Sequence, residues 1–164
     1  MTADQKQQFV FLVTEHQNII HKVCNVYCYT DEDKRDLYQE ITLQLWKSFA
    51  GFKGNSSFST WMYRVALNTA ITQTKKRNPF VEIKEPELLL LNKENDNMDL
   101  DEDIRILYKA IGKLKKVEKA VVLLWLEEKS YEEIAETTGI SVKNVSVKLV
   151  RVKAKLADLI QKLQ

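Results

Sequence analysis

Proline and glycine are scarce in this chain, with two and four respectively among 164 residues. A sandwich or barrel of many short strands needs tight turns far more often, so an all-β architecture is excluded. The abundance of Leu, Lys, Glu, Gln and Ala points to an all-α protein instead. Long apolar runs are also missing. None approaches the roughly 20 residues needed to cross a bilayer, and the opening MTADQKQQFV lacks the basic region and apolar core of a secretory leader. No membrane insertion is expected, and the place of action is expected to be the cytoplasm. Cysteine is limited to Cys24 and Cys28, four apart in a helical pattern. In a reducing compartment these are expected to be space-filling thiols, not a disulfide.

The net charge of +2 conceals a segregation along the chain. Residues 1–78 carry ten Lys/Arg against seven Asp/Glu, residues 79–103 two against nine, and residues 104–164 thirteen against seven. Basic segments concentrate near phosphate because neutralising it releases counterions; an acidic segment is repelled from DNA and must lie elsewhere.

Hydrophobic periodicity divides the chain in the same way. Phe9, Leu12, Val13, Ile19, Ile20, Val23, Val26 and Tyr27 recur at spacings of three and four and predict one amphipathic helix. A second helix is predicted from Asp31–Asp33, with the ladder Leu37, Ile41, Leu45 and Phe49 and a left-handed stop at Gly51. A loop over 51–57 precedes a third helix, from about Ser59 to before Pro79, with Trp61, Met62, Val65, Ala66 and Thr69 inward. Three helices are thus expected in a first domain, 1–78. Residues 79–100, with both prolines and no sustained period beyond a short turn at 87–92, form the expected linker. In a second domain, 101–164, four helices are expected: Ile104, Leu107, Ile111 and Leu114 mark the first, Val117, Val121, Val122, Leu124 and Trp125 the second. Ser130 and Glu133 suit a capping box opening a short third helix that Gly139 ends. Ser141 then caps a long fourth helix with Val142, Val145, Leu149, Val152, Leu156, Ile160 and Leu163 inward.

The stretch SYEEIAETTGISVKNVSVKL has the layout of a helix-turn-helix, with small Ala135 at the helix crossing, Gly139 in the turn, and Ile140 and Val145 as anchors. Outside the core ladder lie Lys143, Asn144, Ser146, Val147, Lys148, Val150, Arg151, Lys153 and Lys155. Such a face suits a major groove: cations meet phosphate or guanine, and valines meet thymine methyls. In FSTWMYRVALNTA, the rings of Phe58, Trp61 and Tyr63 stand among Ser59, Thr60, Arg64 and Asn68, ahead of Lys75, Lys76 and Arg77. Rings beside hydrogen-bonding groups and cations are what an unstacked strand requires. Taken singly, Phe58 and Trp61 also suit a core; Arg64 and Asn68 do not.

Together these segments resemble the extracytoplasmic-function group of bacterial sigma factors. DLYQEITLQLWKSF is similar to the family's core-binding helix, FSTWMYRVALNTA to its promoter-melting segment, and LKKVEKAVVLLWLEEKSYEEIAETTGISVKNVSVKLVRVKAKL to its C-terminal domain. The resemblance implies that Leu37, Gln39, Glu40 and Leu43 contact the clamp helices of core RNA polymerase. It implies that the loop from Gly51 to Phe58, with Thr60, Trp61, Arg64 and Asn68, holds the melted minus-ten element of promoter DNA. The last helix would read the minus-thirty-five element while its domain sits on the polymerase flap, and the acidic linker would follow the RNA exit path. An anti-sigma factor is a further implied partner. Where the family often has a basic residue stands Ser146, and where it has a small polar one stands Val147, which bears on base preference.

Other classes fit less of the chain. A dimeric helix-turn-helix regulator has no use for the aromatic and core-binding segments. His21, Cys24 and Cys28 share roughly one helix face and could ligate zinc, but a structural site needs a fourth ligand and His16 points elsewhere, so no metal is expected. With no phosphate loop, no Ser/His/Asp arrangement and no buried carboxylate pair, neither catalysis nor a cofactor is expected. A helical adaptor without DNA affinity remains a further alternative.

Overall fold

The computed structural model describes residues 1–77 and 101–164, with side chains through residue 73 in the first stretch. Among these residues every regular element is helical. The chain divides into two compact units, Met1–Val81 and Glu82–Gln164. The expected linker, 79–100, with its short turn, lies outside the described residues, as do the side chains of Lys75, Lys76 and Arg77.

The first unit opens with α1 (Ala3–Glu15) and α2 (Gln17–Tyr27), so the expected three helices become four. The chain breaks at His16, whose backbone leaves the helical region at φ −107°, ψ 16°. Period alone cannot register this break. Val13 and Ile20 are seven residues apart, a spacing that an unbroken helix keeps in phase to within about 20°. Next, α3 (Asp31–Ser48) is capped by Thr30, whose Oγ1 accepts from the Asp33 N–H at 3.1 Å, and Asp31, Glu32 and Asp33 lie in its positively polarised first turn. Leu37, Ile41 and Leu45 are buried along it, and a 3₁₀ turn, Phe49–Gly51, continues the ladder through Phe49. Gly51 is not the left-handed stop expected of it; that conformation falls to Gly54 in the following loop, at φ 75°. The last helix of the unit, α4 (Phe58–Arg77), packs on α2 and α3 through Met62, Tyr63, Ala66, Leu67 and Ala70. Each large side chain so buried contributes about 1.5–3 kcal/mol.

The second unit has the four helices expected: α5 (Glu102–Gly112), α6 (Lys116–Leu126), α7 (Tyr131–Thr138) and α8 (Val142–Leu163). α8 is the hub, packing against the other three through Val145, Leu149, Val152 and Leu156. Ile104, Val117 and Val142, expected inward, stand 40%, 36% and 42% exposed, because each lies in the first turn of its helix, where little packs over it. α6 ends in a Schellman arrangement: Lys129 N–H donates to the Leu124 carbonyl at 3.1 Å, Glu128 N–H to that of Trp125 at 3.0 Å, and Glu128 takes φ 59°. At the turn between α7 and α8, Gly139 adopts φ 80° and donates to the Ala135 carbonyl at 2.9 Å. An L side chain there meets no neighbour but is strained by its own backbone. Among the described residues no helix is long and apolar enough to cross a membrane.

Candidate nucleic-acid interface

Each unit presents one face suited to nucleic acid. On the first, Ser57 builds the start of α4: its Oγ accepts from the Thr60 N–H at 3.2 Å and donates to Thr60 Oγ1 at 2.9 Å. Its hydroxyl also lies 3.2 Å from that of Ser59. This cap aims the half-buried Phe58 and Trp61 back over the loop, where Phe52 meets them. The centroids of Phe52 and Trp61 are 5.1 Å apart, those of Phe58 and Trp61 5.4 Å, and those of Phe52 and Phe58 5.6 Å. Phe52 was not singled out by the sequence, where it is one ring in a loop; its loop position among Gly, Asn and Ser was the available signal. Half-buried Arg64 and exposed Asn68 continue the same side of α4.

Two residues expected on this face are elsewhere. Tyr63 is fully buried and Thr60 is 3% exposed. Tyr63 lies two residues beyond Trp61, about 200° round the helix, and therefore faces α2 and α3. Thr60 is consumed by the cap. Neither offers its side chain to a ligand.

The same rotation sorts α3. Gln39 is exposed, Glu40 is half-buried and accepts from Gln44 Nε2 at 2.9 Å, and Leu43 is 43% exposed. Leu37, expected beside them, is 2% exposed and belongs to the core ladder. Its place on the surface is taken by Trp46, 38% exposed, its ring 5.2 Å from that of Phe9 and nearly perpendicular to it. Trp46 lies seven residues from Gln39 and three from Leu43, so the three form a stripe opposite Leu37, Ile41 and Leu45.

In the second unit Ser141 Oγ accepts from the Asn144 N–H at 3.1 Å, fixing the start of α8. Lys143, Asn144, Val147, Val150 and Arg151 then form one exposed strip, with Val150 70% and Val147 43% exposed. Ser146 is exposed on one flank, and half-buried Lys148 lies on the other. The cations farther along are engaged within the unit. Lys155 Nζ lies 3.3 Å from Glu118 Oε1, and Lys153 Nζ sits 4.3 Å from the centre of the Trp125 ring. Burial pushes the Glu118 carboxyl up, but the Lys115 N–H, donating at 2.9 Å, and Lys155 more than offset this and hold it below its ordinary value.

The candidate metal ligands do not converge. Among the described residues no three His, Cys, Asp or Glu side chains group to hold an ion. His21 is exposed with its ring 5.0 Å from Tyr38, and Cys24 is buried as a free thiol, which burial and the neighbouring Cys28 push up to about 12.

Known proteins resemble this chain in sequence and fold. The family model for Sigma-70 region 2 matches residues 12–79, and that for Sigma-70 region 4 matches residues 104–156. The ECF RNA polymerase sigma-E factor of Haemophilus influenzae is 30% identical over 171 residues, covering 96% of this chain and 90% of that protein. The chain belongs to the ECF sigma factor family. The ECF RNA polymerase sigma-E factor of Escherichia coli K12 is 28% identical over 174 residues, with 98% of this chain and 90% of that protein covered. The fold matches that of the sigma factor RpoE from Bartonella quintana, solved in complex with the anti-sigma factor NepR, at a TM-score of 0.68 and 17% identity over 98% of each chain. As a sigma factor, the protein directs core RNA polymerase to promoters and is not an enzyme.

Proposed function

We propose that this sigma factor divides its work between its two units, acting in the cytoplasm. In the first unit Gln39, Glu40 and Leu43, joined by Trp46, bind the clamp helices of core polymerase. The loop 51–57 with Phe52, Phe58, Ser59, Trp61, Arg64 and Asn68 holds the melted minus-ten strand. In the second unit Lys143, Asn144, Ser146, Val147, Lys148, Val150 and Arg151 read the duplex minus-thirty-five element, Lys155 is held back by Glu118, and the same unit sits on the flap. The acidic residues of 79–100 follow the RNA exit path as a polyanion would. An anti-sigma factor is the partner that restrains the protein, in keeping with the complex of its structural relative.

The observation that carries this reading is the trio Phe52, Phe58 and Trp61, three half-buried rings with centroids 5.1–5.6 Å apart above a loop of small residues. A fold built for stability alone would bury three such rings fully, whereas an unpaired base gains a stacking surface from their open sides. Run-off transcription with purified core polymerase and a genomic library tests it. Defined transcripts dependent on the chain are expected, and their start sites supply the recognised sequence. A holoenzyme that forms but starts nowhere refutes the assignment.

A further inference from the structure

The ring trio has a support that neither its loop nor its helix supplies. His16 stands in the break between α1 and α2, yet its ring centroid lies 5.1 Å from that of Phe58, tilted by 61°. The residue is held through both its backbone and its ring. The His16 N–H donates to the Leu12 carbonyl at 3.1 Å, and the His16 carbonyl accepts from the Ile19 N–H at 3.0 Å. Nδ1 is 2.9 Å from the same Leu12 carbonyl; a carbonyl only accepts, so Nδ1 carries the proton. Histidine suits this position because it offers in one side chain an N–H for the open end of α1 and an aromatic edge for Phe58. Phe58 in turn touches Phe52 and Trp61.

We infer that His16 is a positioning residue for promoter melting: it backs the Phe58 ring so that Phe52, Phe58 and Trp61 present a fixed stacking surface to an unpaired base. This rests on the minus-ten reading above and extends it to the α1–α2 junction, which lies outside the promoter-melting segment. His16 acts through Phe58 and does not itself need to touch DNA. Orienting the ring beforehand spares the ordering cost that a mobile ring incurs on binding.

The test uses holoenzyme assembled from core polymerase and the full chain. The probe is a fluorescein-labelled single strand carrying the non-template minus-ten sequence of a start site found by run-off transcription, with affinity read by anisotropy. His16→Ala is expected to weaken binding by about two- to thirteenfold, the range of an edge-to-face ring pair, without loss of core affinity. His16→Phe, which keeps a ring against Phe58, is expected to bind within about twofold of wild type, and His16→Gln, which keeps a donor but no ring, to resemble Ala. Combined with Phe58→Ala, His16→Ala is expected to add nothing. Wild-type affinity in His16→Ala while Trp61→Ala is weakened overturns the inference and spares the minus-ten reading; wild-type affinity in both overturns the two together. If His16→Ala also loses core affinity, the Phe and Gln variants decide, and equal weakening in them overturns the inference.

Discussion

At the start of α4 the groups that the proposed function offers to DNA are rings already packed on one another, with Asn68 the exposed polar group beyond them. On α8 they are Lys143 and Arg151 reaching into water from a capped helix, with two bare valines between. The difference matches the two states of the template. A melted base has lost its stacking partner and needs a π surface, while a duplex keeps its stacking and offers phosphates and groove edges. The first face should therefore respond to loss of a ring, the second to salt.

Removing a ring is the larger perturbation. Trp61→Ala in holoenzyme is expected to cost about 1–3 kcal/mol of affinity for a single-stranded minus-ten probe, roughly five- to 150-fold, because one stacking surface disappears. The slope of log affinity against log salt should stay where it was. Arg151→Ala comes next, measured on a duplex minus-thirty-five probe: about 1 kcal/mol is expected at low salt, with the salt slope shallower by about 0.9 if the guanidinium neutralises one phosphate. Titrations of both variants at several salt concentrations break the comparison if Trp61→Ala, and not Arg151→Ala, changes the slope.

Much of this was legible in the residues, and what was not has identifiable causes. The caps at Ser130 and Ser141 and the left-handed Gly139 are local chemistry that the chain displays openly, and all three stand where expected. The two-unit helical organisation follows from period and charge in the same way. Rotation about a helix is harder to read. Leu37 is set on a surface only by the motif it sits in, whereas its period places it in the buried ladder with Ile41 and Leu45; Tyr63, grouped with Trp61, instead shares its face with Ala66, Leu67 and Ala70. Exposed Trp46 and half-buried Phe52 carry the open apolar surface instead. The break at His16 was hidden because the apolar phase runs through it undisturbed. The end of α6 was hidden for the opposite reason. Its left-handed residue is Glu128, where a glycine would have announced the turn.

The smallest effect concerns how much of the α8 charge is available to DNA at all. Lys155 lies on the flank of the duplex-facing strip, but its Nζ is paired with Glu118 at 3.3 Å, with the lysine 44% and the glutamate 15% exposed. The pair ties the first turn of α6 to the middle of α8, and Glu118 also accepts from the Lys115 N–H. Because the folded carboxyl titrates below its ordinary 4.5, its contribution is complete above that value and disappears as pH falls through the folded pKa. Glu118→Gln should thus be less stable than wild type at neutral pH, by no more than about 1 kcal/mol for so open a pair. The two should converge in acid, once the pH lies below the folded pKa of Glu118 and both carry a neutral side chain. Thermal unfolding at the two pH values measures this; a gap that persists in acid assigns the effect to lost packing and frees Lys155 to be counted with the strip that faces DNA.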